Sequence, residues 1–206
     1  MDHQPPPSPA PPPCPYASRG GLKLAHAIET LSIDVTGAIC ADLGCSTGGF
    51  TDCLLQHGAA RVHAVDTAYG ELAWKLRSDD RVTVHERQNA LHLTPAELCD
   101  IVTIDLSWTR QSKALPAAMN WLAPTGRIIT LVKPHYEVPR DTLGPGGVLP
   151  EDQAEPVCTR VLNEATAELG LNLLGVTQSP IRGGASSKKR RKGAGNVEFL
   201  AVLSRG

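Results

Sequence analysis

Short apolar runs alternate along this chain with segments whose apolar residues return every three or four positions. The first pattern reads as buried strands and the second as amphipathic helices. The run at 39–43 predicts a strand, Gly44, Gly48 and Gly49 a tight turn, and residues from about 49 to 56 a helix. Residues 61–66, 81–85 and 100–106 predict further strands, and helices are expected over 69–77 and around 112–122. A β-branched run from 127 ends in Lys133 and Pro134, where proline closes the strand. The Gly- and Pro-rich stretch 135–150 reads as a long loop, 152–169 as an amphipathic helix, and 171–179 and 196–203 as two last strands. Near the start, Ser18 is placed to cap a helix whose apolar stripe runs through Leu22, Ala25, Ile28 and Leu31. Lys23 lies on a different arc, where a lysine is ordinarily solvated.

Strands and helices in alternation argue for a doubly wound α/β sheet, with the last two strands an antiparallel pair. Ligands of such sheets sit at the carboxyl ends of the strands, so the residues there carry the chemistry. A phosphate-cradling turn needs glycine at its first, third and sixth positions; counted from Gly44, the third is Ser46 and only Gly49 fits. Asp42, two residues before Gly44, would repel a pyrophosphate and attract a cation. S-adenosylmethionine, with its ammonium and sulfonium, suits this turn better than a dinucleotide. Asp66, at the tip of the second strand, is placed to hold a ribose hydroxyl pair, and Asn89 lies at the tip of the third. Asp105 and Lys133 close two central strands on the same edge. A ligand-free structural turn and a buried ion-pair cluster are the plain alternatives.

A length of 206 residues favours one domain, and a formal charge of -1 offers no global attraction to nucleic acid, so any such contact needs a local patch. The six cysteines show no C-x-x-C pair, and no histidine spacing suggests a metal site. No apolar run has the length of a membrane span and the first residues lack the blocks of a signal peptide, so a cytoplasmic protein without membrane contact is expected. Residues 1–15, mostly proline from position 4, read as an extended disordered tail, leaving 16–206 for the folded part. Arg182, Lys188, Lys189, Arg190, Arg191 and Lys192 form a basic run with no acid before Glu198. Flanked by glycine and serine, the run reads as a flexible loop able to hold RNA through its phosphates, or as a plain solvated loop.

Several stretches together resemble a known family: S-R-G-G-L-K-L, D-L-G-C-S-T-G-G-F-T-D-C-L-L, Y-G-E-L-A-W-K-L-R, L-V-K-P-H-Y-E and G-N-V-E-F-L. From Tyr16 to the end, the chain resembles the haemolysin-A-like (TlyA) branch of the FtsJ-type ribosomal RNA ribose 2′-O-methyltransferases. The resemblance implies a Rossmann-like methyltransferase fold, seven strands with the last antiparallel, and S-adenosylmethionine as cofactor. It implies RNA, ribosomal RNA or ribosomal subunits, as partner, with no DNA expected. The family's catalytic Lys-Asp-Lys-Glu set falls on Lys23, Asp105, Lys133 and Glu198. Cofactor contacts are expected at Ser18, Gly20, Asp42, Gly44, Cys45, Ser46, Thr47, Gly48, Gly49, Phe50, Asp66, Asn89 and Asp105, and RNA contacts at Arg19 and the basic run. Three features depart from the family. Only the Pro-rich tail stands where similar proteins carry a small RNA-binding domain, S-W-T-R-Q-S-K after Asp105 is unusually polar, and the basic run looks like an insertion. No amphipathic or membrane-spanning segment supports a haemolytic pore.

A ribose hydroxyl is a poor nucleophile, so methyl transfer to it needs a base and in-line placement of the reactants. A lysine serves only when neutral, a state that burial and the Lys23 ammonium favour and Asp105 opposes, while Asp105 also orients it. Glu198 would hold Lys23 or the ribose. The reading is an RNA ribose 2′-O-methyltransferase, against three rivals: a small-molecule methyltransferase, a non-catalytic RNA-binding protein of the same fold, and a nicotinamide-dependent enzyme. Oligomeric state and the modified nucleotide are not legible.

Overall fold

A computed structural model describes residues 14–183 and 195–206. The expectations for the proline tail, apart from its last two residues, and for Lys188–Lys192 lie outside the described residues.

Ile39–Leu43 (β1) pairs in parallel with Arg61–Val65 (β2) on one side and Cys99–Ile104 (β4) on the other. Outside β2 lies Val82–His85 (β3), and beyond β4 comes Leu122–Val132 (β5). The chain closes by inserting Phe199–Arg205 (β7) antiparallel between β5 and Leu171–Gln178 (β6). The order β3-β2-β1-β4-β5-β7-β6 is the expected seven-stranded, mostly parallel sheet with an antiparallel last strand. After β3 the chain crosses to the far side of β1, so strand order reverses between β1 and β4 and a crevice opens at their carboxyl ends.

Helices Gly20–Thr30 (α1) and Gly49–Gln56 (α2) cover one face, and Gln111–Trp121 (α4) and Glu151–Leu169 (α5) the other. The strands serve both faces through their two-residue period. Ile129 and Leu131 join Leu24, Phe50 and Leu54 of α1 and α2, while Ile128 packs with Leu115 and Trp121 of α4. Burial on both sides explains why the central strands read as unbroken apolar runs.

Five local expectations are corrected. The helix anticipated over 69–77 shrinks to Trp74–Arg77 (α3), because Gly70 takes φ +75° and Tyr69 is exposed, so the preceding residues run as a loop. The α1 N-cap is Arg19, with no side-chain cap bond; Ser18 Oγ accepts only a 3.3 Å hydrogen bond from the Gly20 amide. The buried arc of α1 runs through Lys23, Leu24, Ala27 and Ile28, and Leu22 is only half-buried, because the helix packs on α2 as well as near β7. Glu198 precedes β7 rather than lying within the strand expected from 196, and the long loop contains two short 3-10 turns, Pro134–Tyr136 and Arg140–Thr142.

Candidate active site

The turn after β1 is shaped by close packing. Gly44 has φ +93°, and a Cβ there would stand 2.7 Å from the Asp105 carbonyl oxygen, so only glycine lets the two strand ends meet. At Gly49 a Cβ would collide with Ser18 Oγ and stand 2.8 Å from the Gly21 amide nitrogen, so glycine allows α1 to rest on the start of α2. Gly48 packs under Leu72 and Leu76 and lines no described cavity.

Three adjoining cavities meet at this turn, all sharing Gly44, Ser46 and Asp105. The first, about 390 Å³, is walled by Ser18, Arg19, Gly20, Lys23, Cys45, Thr47, Gly49 and Phe50, with Arg182 at its edge. The second, about 340 Å³, reaches Asp66, Gln88 and Asn89. The third, about 270 Å³, is bounded by Lys23, Lys133, His135, Tyr136, Asn196 and Glu198.

Asp42 is corrected in its placement. Its carboxylate is fully buried beneath the turn, accepting hydrogen bonds from Thr51 Oγ1 at 2.7 Å and Thr103 Oγ1 at 3.0 Å, and it lines none of these cavities. Burial pushes its pKa up to about 6, against the opposing effect of the two hydroxyls. It ties β1, α2 and β4 together, so any influence on a ligand passes through the backbone. Asp66 does face a cavity, and its two oxygens accept the Ser46 and Ala68 amides, each at 2.8 Å. Asn89 lines the same cavity and is exposed.

Four charged side chains enclose the third cavity as two pairs. Lys23 Nζ lies 2.5 Å from Glu198 Oε2, and Lys133 Nζ lies 2.6 Å from Asp105 Oδ1 while donating to the Leu106 carbonyl at 3.1 Å. Both lysines are 9% exposed and Glu198 is 3% exposed, so Lys23 is not the solvated lysine its arc suggested. The pairs arise because β4 and β5 end side by side, the first turn of α1 crosses the turn after β1, and the residue before β7 comes alongside.

The pattern of strands missed other members of this wall. His135 and Tyr136 follow Lys133 in a 3-10 turn, and the exposed Trp108 stacks on Tyr136 with ring centroids 4.9 Å apart. Burial, then the Lys133 and Lys23 ammoniums, lower the His135 pKa to about 4; burial, then Glu198 and Asp105, raise that of Tyr136. The H-Y pair after Lys133 and Pro134 was the available signal. Of the basic residues, Arg19 and Arg182 edge the first cavity, and Arg182 also bonds Glu151 at 2.6 Å. Among the described residues no group of three or more His, Cys, Asp and Glu side chains is arranged to hold a metal, and no helix is long and apolar enough to cross a membrane.

The chain is 42% identical to the 16S/23S rRNA (cytidine-2′-O)-methyltransferase TlyA of Mycobacterium tuberculosis over 191 residues, 91% of this chain and 68% of that protein. It is 35% identical to Hemolysin A of Brachyspira hyodysenteriae over 193 residues, covering 90% and 75% of the two chains. A solved structure of a hemolysin-type protein from Streptococcus thermophilus superposes with a TM-score of 0.82 at 38% identity, over 93% of this chain and 68% of that one. The N-methyltransferase NodS of Bradyrhizobium japonicum, solved with S-adenosyl-L-homocysteine, shares the fold alone, with a TM-score of 0.58 at 16% identity over 92% and 87% of the chains. The FtsJ-like methyltransferase model matches residues 16–190. With that match over most of its length, and with TlyA and Hemolysin A as relatives, the chain belongs to the FtsJ-like methyltransferase family.

Proposed function

We propose that this chain transfers a methyl group from S-adenosylmethionine to a ribose 2′-hydroxyl of RNA, with ribosomal RNA as substrate. The observation that carries the reading is the junction at Asp105: a cavity enclosed by two Lys-carboxylate pairs shares Gly44, Ser46 and Asp105 with the two cavities at the glycine turn.

The chemistry of the walls fits the cofactor. Asp105 places a carboxylate beside the glycine turn, where a dinucleotide's pyrophosphate would be repelled, and the turn lacks the third-position glycine of a phosphate cradle. Gly20, Gly44, Thr47, Gly49 and Phe50 would hold the amino-acid end, and Asp66 and Asn89 the nucleoside end. S-adenosylmethionine supplies an electrophilic methyl on a sulfonium when bound.

The remaining work falls to the chain's own side chains. Lys133 Nζ, positioned by Asp105 Oδ1 and the Leu106 carbonyl, takes the proton of the 2′-hydroxyl. Asp105 keeps that nitrogen aimed at the junction and stabilises the ammonium that forms. Lys23, held by Glu198, presents a fixed cation to the oxygen as charge develops on it. Arg19 and Arg182 at the rim, with the basic run between Arg182 and Glu198, contact phosphates of the RNA. Ribosomal RNA as the target rests on what relatives such as TlyA are named for.

The test is to supply labelled S-adenosylmethionine with total RNA and with isolated ribosomal subunits, then map ribose positions protected from alkaline cleavage. Label at a 2′-oxygen of ribosomal RNA is the expected result. Label confined to small molecules, or to bases, would overturn the reading.

A further inference from the structure

The third cavity contains a polar group that the reaction above does not use. His135 lines it beside Lys23, Lys133 and Glu198, and its buried Nδ1 has no hydrogen-bond partner among the described residues. Buried polar atoms are nearly always paired, so an unpaired one in a cavity wall needs a reason. Burial, then the charges of Lys133 and Lys23, lower the pKa of His135 to about 4 and so favour the neutral ring.

A neutral imidazole donates from one nitrogen and accepts at the other. Placing the proton on Nε2 leaves only a lone pair unused at Nδ1, the cheaper arrangement, since orphaned buried N–H groups are rarer than under-used acceptors. The ring therefore has a donor to offer at Nε2, and among the described residues no hydrogen bond takes it up. Its plane is steadied by Tyr136, with ring centroids 4.2 Å apart, and Tyr136 is in turn stacked on Trp108. His135 is absent from the two cavities assigned above to the cofactor, so the missing acceptor belongs to the other substrate.

We infer that His135 is a substrate-positioning residue whose Nε2–H donates a hydrogen bond to a sugar or phosphate oxygen of the target nucleotide, fixing the ribose beside Lys133. The inference rests on the RNA methyltransferase reading above. A neutral donor suits this place because an imidazolium would repel the Lys23 ammonium and the one that forms at Lys133 during transfer, whereas an N–H dipole adds a contact without adding charge.

Steady-state kinetics on a verified RNA substrate test the assignment. His135→Phe keeps a ring against Tyr136 and removes the donor; His135→Gln restores an N–H. In His135→Phe the KM for RNA should rise about fivefold to tenfold, the loss of one net hydrogen bond, with kcat at saturating RNA changed far less. Affinity for S-adenosylmethionine should be unaltered, and His135→Gln should recover most of the RNA affinity. The parent's KM for RNA should be flat from pH 6 to 8; a KM that climbs as pH passes about 6.5 would mean that imidazolium is the binding form, and would overturn the neutral-donor assignment. An unchanged KM in His135→Phe, or no recovery in His135→Gln, would overturn it too while leaving the methyltransferase reading intact. Absence of any methyl transfer to RNA by the parent would remove both.

Discussion

Lys23 Nζ and Glu198 Oε2, 175 residues apart in the chain, stand 2.5 Å apart in the wall of the acceptor cavity. The pair joins the first turn of α1 to the residue before β7, so it both braces the fold and shapes the site.

These two roles separate by mutation. Lys23→Met strands a buried carboxylate and should cost about 3 kcal/mol, lowering Tm by about 10 °C. The double variant Lys23→Met/Glu198→Leu should recover most of that stability and still transfer no methyl group. Differential scanning calorimetry with a methyl-transfer assay reads both; a double variant as active as the parent would leave the pair a brace only.

Lys133→Arg keeps a cation beside Asp105 but places there a group that cannot give up its proton near neutral pH. Single-turnover methyl transfer should fall by at least about a hundredfold, the lower end of what a general base contributes. Calorimetric affinity for S-adenosylmethionine should stay within about twofold of the parent, since the cofactor cavities do not include Lys133. Near-normal turnover in this variant would assign the base elsewhere.

Asp42 makes stability depend on pH in an unusual direction. Its folded pKa, about 6, lies above the ordinary value of 3.8, so the native state binds the proton more tightly than the unfolded chain. Its contribution is therefore most favourable below pH 4, is lost as pH rises toward 6, and stays lost above, a change of about 3 kcal/mol. Glu86, Asp79 and Glu97, whose pKa values are lowered chiefly by arginine partners, push the other way. The difference between the parent and Asp42→Asn isolates the effect: urea denaturation should show the variant gaining relative stability between pH 4 and 6. A difference that is constant with pH would show that Asp42 does not titrate in this range.

Gly183 and Gly195, which flank in sequence the segment holding the basic run Lys188–Lys192, both border the third cavity. Replacing the five residues with serine should leave cofactor affinity intact and weaken RNA binding. It should also flatten the slope of log K against log salt by about 3, as fewer counterions are released. An unchanged salt slope would exclude the run from docking.

The strand, turn and helix around Gly44, the alternation of strands and helices and the antiparallel close were legible because each rests on a local signal. Apolar runs mark strands buried on both faces, glycine marks close approach, and two last strands near in sequence pair as a hairpin would. Asp105 and Lys133 could be placed on one edge by the same logic, since parallel strands send all their ends to one side.

What the sequence by itself determined, then, was the sheet, its ligand-bearing edge and the residue types gathered along it. Tertiary structure alone decided which of those side chains meet and which way each one faces. Lys23 is buried because β7 and α2 close over an arc that helical periodicity marks as exposed, and no local pattern records a partner 175 residues away. Asp42 turns inward because Thr51 and Thr103, on two other elements, offer hydroxyls that the strand itself does not announce. His135 lies among the lysines because a 3-10 turn folds back at the end of β5. Period and propensity act over a few residues, whereas desolvation, ion pairing and an unpaired nitrogen are properties of segments brought together in space.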